Sequence, residues 1–516
     1  MTGTFGYTPK TRTILELYAD KAQFGVRTTG IPWIGTVGAS TGTVIAMETP
    51  ATAEANQFDW ARVLRHEFTH TITLEQTNNR IPHWFTEACA TSQEMAPRDW
   101  KTCQLLARRL QAGTLFGVAN MSWGFIKPAT PEDRPLAYAQ ARWTYEFITE
   151  KYTAQHIRDL LAAYGAGVSE PEAIKKVFGK TPEAFDAEFL IWAKPQVTVW
   201  GLNQPAQPSQ EDVEKALAAN ANEPEARTSK VRLQLNGKWK GEPATQPASQ
   251  PAKLVTSDMV KPNPNEPLRA APAGAKPDAK MAAARQELQA IIKESPTYLP
   301  AQKLLGQLLL SNPKTESEGL ALFEKMYRDQ PDQVPARALE ALAAAAMKAK
   351  DYAKATPLWE KLSQMQPPNE APHQALAGIY LNAQDRAKAA PHLDFLVQRA
   401  MTDDRMPRLL AEIYSEQKKS DPAQDMAYRA VRLNPLNSLN HYVYAKLLQE
   451  AGKDQRAEKF WTLATQTSPR TPSYWEGLAD IRGKLGDLKG ASAAARKALE
   501  LTETSPAKKW YLGKDN

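Results

Sequence analysis

The chain has few cysteines and histidines. Cys89 and Cys103 are the only cysteines in 516 residues. Two thiols cannot build a disulfide framework or a cysteine-ligated zinc site, and Cys89 reads as a small buried residue. No apolar run is long enough for a membrane-spanning helix. An excess of one charge is also lacking: 64 Lys and Arg against 57 Asp and Glu leave +7. With no basic run interleaved with aromatics, that excludes a nucleic-acid surface. A phosphate loop fails too, because Phe178-Gly179-Lys180-Thr181 has Ile174 where the first glycine is required. The first residues, Met1 to Pro9, do not have the pattern of an export leader. As written the chain reads as cytoplasmic; as a shortened form of an exported protein it would be periplasmic or secreted.

Against that scarcity, three of the seven histidines (His66, His70 and His83) fall close together. His66-Glu67-Phe68-Thr69-His70 places two imidazoles one helical turn apart, where both can hold one metal ion, with a carboxylate beside them. Trp60, Val63, Leu64, Phe68, Thr71 and Ile72 recur at helical spacing, so residues 58–76 read as an amphipathic helix capped by Asp59. Thr77-Asn78-Asn79-Arg80 reads as a turn and residues 83–95 as a second helix. That helix returns Glu87 toward the histidines as a third ligand. A two-His, one-carboxylate shell keeps an open position for water on Zn2+. Glu67 is then the general base. A donor for the developing oxyanion comes from Tyr138, Tyr145, Arg134 or Arg142, with Tyr138 the first choice. His83, at the mouth of the second helix, lacks ligand spacing and reads as a structural or substrate-rim residue.

Residues 5–195 resemble the gluzincin-type peptidases, in particular the bacterial peptidase MA-like domains joined to tetratricopeptide repeats. The resemblance is carried by the His66–His70 run and by Ile81-Pro82-His83-Trp84-Phe85-Thr86-Glu87-Ala88. It extends to Gly30-Ile31-Pro32-Trp33-Ile34-Gly35, Gly42-Thr43-Val44-Ile45-Ala46-Met47-Glu48, Ala137-Tyr138-Ala139-Gln140 and Ile191-Trp192. It implies zinc, peptide-bond hydrolysis and Glu67 as base. It also implies that Thr43–Glu48 form the edge strand of a small sheet. A substrate backbone would pair with Ala46, Met47 and Glu48 there by strand addition. The chain departs from the family at Ala88-Cys89, where glycine is usual. It has no Gly-Ala-Met-Glu-Asn exopeptidase signature, which favours an endopeptidase.

The length predicts two or three domains. Residues 1–50 alternate like strands and 58–195 read as helical, an α+β order for a zincin-like peptidase domain at 1–203. Residues 204–279 read as a Pro/Ala/Gln-rich linker. It contains an ambiguous segment with a short helix near 211–221 and a strand at Val231–Leu235. Further on, small residues recur at Ala284, Gly319, Ala355, Ala389, Ala423, Ala457 and Ala491, with spacings of 35, 36 and then 34. Ala343, Ala377, Ala411, Ala445 and Ala479 precede five of these by twelve, and Pro296, Pro331, Pro367, Pro435 and Pro469 follow five by twelve. That phasing is the tetratricopeptide signature. It predicts an all-α solenoid of six repeats over 280–505, led by one lone helix, and a tail at 506–516. Such a groove holds a protein partner or a peptide substrate. The function that follows is a zinc metallopeptidase with recruiting repeats. The alternative is a tetratricopeptide adaptor carrying an inactive peptidase-like domain.

Overall fold

The computed structural model describes residues 2–33, 36–49, 58–203, 207–240, 279–400 and 402–501. The stretch 241–278, the core of the expected linker, and the expected tail lie outside the described residues, as do Ile34, Gly35 and Met401. The chain is mostly helical, with a small sheet near its N-terminus. It divides into two compact units, Met1–Asn203 with Ser363–Asn516, and Gln204–Leu362.

The first unit begins with α1 (Thr2–Phe5), β1 (Ile14–Tyr18), α2 (Lys21–Thr29), β2 (Gly38–Ser40) and β3 (Val44–Glu48). Residues 21–29, expected to alternate as strand, are helical. Asp20 caps the backbone N–H of Gln23 and Gly30 ends the helix in the left-handed region at φ 79°. The sheet order is β1-β3-β2. β3 pairs parallel with β1 (Ile14↔Val44 to Tyr18↔Glu48) and antiparallel with β2 (Gly38↔Met47 to Ser40↔Ile45). This overturns the edge-strand reading of Thr43–Glu48. β3 is the central strand, and Ala46, Met47 and Glu48 are buried, so their backbone has no free edge for a substrate to pair with.

Helices follow: α3 (Trp60–Gln76), α4 (His83–Gln93), α5 (Trp100–Gln111), α6 (Met121–Ile126), α7 (Asp133–Lys151), α8 (Ala154–Gly165), α9 (Glu170–Phe178) and α10 (Pro182–Val199). Asp59 caps α3 by accepting from the Arg62 N–H at 3.2 Å, as the sequence predicts. The turn after α3 uses Asn78 and Asn79 at φ 51° and 58°, a conformation asparagine tolerates better than most residues. Ile45 and Met47 of β3 pack with Val63, Leu64 and Phe68 on one side of α3. On its other side α3 joins a large core built around Trp84, Phe85, Trp143, Phe147 and Leu160. The helix with the paired histidines is thus wedged between sheet and helical core.

The repeats of this unit are α18 (Glu370–Asn382), α19 (Arg386–Arg399), α20 (Arg405–Glu416), α21 (Ser420–Leu433), α22 (Ser438–Glu450), α23 (Asp454–Thr467), α24 (Pro472–Lys484) and α25 (Leu488–Leu501). Ala389, Ala423, Ala457 and Ala491 are fully buried, as close helix packing requires. These hairpins also touch the N-terminal helices. Arg432 approaches Asp59 at 3.5 Å, the Arg62 guanidinium donates to the Gln398 carbonyl at 3.2 Å, and the Trp100 N–H donates to Glu370 at 3.2 Å.

The second unit holds α11 (Gln210–Ala219), α12 (Pro224–Leu235), α13 (Ala279–Glu294), α14 (Leu299–Leu310), α15 (Glu316–Asp329), α16 (Ala336–Lys348) and most of α17 (Tyr352–Met365). Two expectations are corrected here. Val231–Leu235 is helix, not strand: Pro224 sits in the first turn of α12, and Val231 packs on Ala284, Leu288 and Ile291 of α13. Alternation of three apolar residues, Val231, Leu233 and Leu235, is too short a signal to outweigh that packing. For the same reason α13 is not a lone helix. α12 is its partner, joined by the ion pair Arg227–Glu287 at 2.7 Å.

Candidate metal centre

α3 and α4 are joined by a short turn and pack against one another, which brings residues from both to one point. His66 Nε2 and His70 Nε2 lie 3.1 Å apart. Glu87 Oε2 is 3.3 Å from the first and 3.6 Å from the second. Among the described residues these three form the one group of histidine, cysteine or carboxylate side chains whose donor atoms converge, all within 4.8 Å of one another.

The remaining polar atoms decide which lone pairs face inward. His66 Nδ1 lies 2.8 Å from Glu94 Oε1; a neutral ring that donates there presents its Nε2 lone pair inward. His70 Nδ1 is 2.8 Å from Thr86 Oγ1, which is 2.9 Å from Thr73 Oγ1, which donates to the Thr69 carbonyl at 3.1 Å. A carbonyl only accepts. Each group in that row therefore passes its hydrogen onward, and His70 also keeps its Nε2 lone pair inward. Glu87 Oε2 is buried with no hydrogen-bond partner among the described residues, a costly arrangement for a carboxylate oxygen. Two imidazole lone pairs and an orphaned carboxylate oxygen around one point fit a divalent zinc ion.

Burial disfavours charge on His66, but the neighbouring Glu87 and Glu94 carboxylates outweigh this and push its pKa up to about 10. Burial lowers His70 to about 4. Burial opposes the charge of Glu87 too, yet the neighbouring His66, His83 and His70 hold its pKa below the usual carboxylate range. Glu67 is raised to about 7 by burial; the neighbouring His66 opposes this, and Glu87 and Glu94 add to it. Its carboxylate lies against β2: a Cβ on Gly38 would fall 2.8 Å from Glu67 Oε1 and 2.9 Å from Val63 Cγ1, so only glycine fits.

The other candidates separate. Tyr138, on α7, packs its ring edge-on to Phe125 at 4.8 Å, the ring on which His83 stacks, and is 38% exposed. Burial raises its pKa, and the charges of Glu87 and Glu67 add to this. Arg134 instead donates to the Phe125 carbonyl, Arg142 pairs with Glu146 and Tyr145 is buried. Burial holds the Cys89 thiol far above its ordinary pKa, which removes it as a nucleophile. Sequence reasoning passed over Glu94, Thr86, Thr73 and Gly38. Only Glu94 carried a signal, lying two helical turns beyond Glu87.

Residues 23–194 match the family model of the Peptidase MA superfamily. No curated protein matches the chain. Among solved structures the chain is similar to YrrB, described as a TPR protein with an unusual peptide-binding site. That similarity has 12% identity, covers 37% of this chain and 97% of the other, and has a TM-score of 0.31. It is also similar to MamA, at 18% identity over 31% of this chain and 95% of the other, with a TM-score of 0.27. By its family match the chain carries a peptidase MA-like domain over residues 23–194, and the 34-residue spacing of Ala389, Ala423, Ala457 and Ala491 in paired helices gives it tetratricopeptide-like repeats.

Proposed function

We propose that the peptidase MA-like domain is a zinc-dependent endopeptidase and that the helical repeats bind its protein substrate or partner. The observation that carries this is the convergence of His66 Nε2, His70 Nε2 and Glu87 Oε2, with Glu67 on the same helix. Zinc held by those three side chains supplies a Lewis acid and lowers the pKa of water to about 7. Glu67 takes the proton of the attacking water and hands it to the leaving amine. Burial opposes the charge of Glu67, so the carboxylate holds a proton more readily than an exposed one. Glu94 and the Thr86–Thr73 row keep the two imidazoles in the tautomer that presents Nε2.

Since β3 is central, the substrate-pairing role expected of Ala46, Met47 and Glu48 moves to β2. It is an edge of the sheet and runs beside Glu67 at Gly38. An extended peptide added to that edge has its carbonyl near the base. Tyr138 is the donor to the developing oxyanion.

The test is elemental analysis of the purified full chain, alongside cleavage of unfolded protein substrates by the wild type and Glu67→Gln. A zinc ratio near one in both proteins, with cleavage only by the wild type, supports the reading. Cleavage that survives Glu67→Gln removes Glu67 as the base. A folded wild type without zinc moves the function to the repeats, as an adaptor.

A further inference from the structure

Each imidazole of the candidate centre is oriented by a neighbour, and so is the carboxylate. Glu87 is the first-turn partner of His83 on α4: His83 Nε2 lies 3.4 Å from Glu87 Oε1. The other oxygen, Oε2, faces His66 and His70. The two oxygens of Glu87 are therefore divided between two tasks. An exposed i,i+4 pair has little worth in itself. Here the Glu87 side chain is only 9% exposed, so a donor on Oε1 has consequence. The His83 side chain is 45% exposed, with one ring face covered. It stacks on Phe125 with centroids 4.9 Å apart and planes 28° apart, and Phe125 is held by the edge of Tyr138. The adjacent Trp84 is fully buried, which anchors the backbone at this point.

We infer that His83 is a positioning residue. Stacked on Phe125, it holds Glu87 Oε1 by a hydrogen bond, so that Glu87 offers one oxygen rather than two to a metal and a coordination position stays open for water and substrate. The inference rests on the zinc reading of the site and adds a residue to it. With the donor gone, Oε1 turns inward and competes with water for that position. The residue that orients a ligand then governs coordination number more than it governs folding.

The experiment uses the full chain loaded with cobalt(II), whose visible absorption reports coordination number, and compares wild type, His83→Ala and His83→Gln. Gln keeps an N–H donor at the reach of the imidazole Nε2. In His83→Ala the cobalt spectrum changes to that of a more crowded centre, zinc affinity by chelator competition shifts about tenfold, and kcat falls more than KM rises. His83→Gln restores the wild-type spectrum. An unchanged spectrum in a folded, cobalt-loaded His83→Ala protein overturns the role of His83 while leaving the metal site standing. A changed spectrum that His83→Gln does not restore overturns the hydrogen bond as its cause. A folded wild type that takes up no cobalt overturns the metal reading and the role of His83 with it.

Discussion

The hairpin α3/α4 and the hairpin α24/α25 are the same motif, two helices joined by a short turn, with opposite interiors. Between α24 and α25 the buried residues include Leu478, Ala479, Ile481, Ala491, Ala494, Ala495 and Ala498. Between α3 and α4 they include Glu67, Thr69, His70, Thr73, Thr86, Glu87 and Thr91. The first interior is what close packing favours: small residues let helices approach, and these seven side chains are all apolar. The second buries carboxylates and imidazoles, which costs several kcal/mol per charge unless each is paired. Its hydroxyls are paired; Glu87 Oε2 has no hydrogen-bond partner among the described residues. A local conflict of that kind, set in an otherwise consistent fold, marks a site rather than a defect.

Removing a ligand breaks the comparison most. His70→Ala is expected to lower the zinc ratio of the folded chain from near one to near zero and to abolish cleavage. Stripping the wild type with a chelator lowers its melting temperature, since bound ligand at about a hundred times its Kd stabilises by roughly 2.7 kcal/mol. Scanning calorimetry checks this, and a chelator-insensitive melting curve would falsify the zinc assignment. Glu67→Gln is next. Cleavage falls by about 10²- to 10⁴-fold, the usual range for a general base, with zinc retained.

Changes in the apolar hairpins act on stability alone. In the middle of α24, alanine would favour the helix over Gly477, but its Cβ would sit 2.4 Å from the Trp461 ring on α23. Overpacking there costs roughly 1–3 kcal/mol. Denaturant unfolding of Gly477→Ala should show that loss with zinc content unchanged. The smallest effect expected is Thr73→Val, which removes the hydroxyl between Thr86 and the Thr69 carbonyl. It costs about 1 kcal/mol, and it weakens zinc binding measurably because the His70 ring loses its fixed tautomer. A stability loss with zinc affinity intact would reduce the threonine row to packing.

The repeats were legible because each element carries its own signal: small residues at a fixed period, then a proline at the end of the second helix. The candidate metal ligands were legible because the two histidines lie one helical turn apart, and the cap at Asp59 and the turn at Asn78-Asn79 bound the helix that carries them. The reading failed where order in space departs from order along the chain. Val44–Glu48 has the same pattern at the edge of a sheet as at its centre, and only pairing with β1 and β2 assigned it. The partner of α13 was missed because 43 residues separate the end of α12 from its start.

The sequence alone determined that the chain would place two histidines and two glutamates on adjacent helices, and that paired helices would recur every 34 residues. Those outcomes follow from helical geometry, which acts over a few residues. Tertiary structure alone decided which strand lies beside Glu67, which hydroxyls and carboxylates turn His66 and His70 inward, and that His83 takes one oxygen of Glu87. Each depends on the packing of distant elements, and local propensity cannot encode a distance between them.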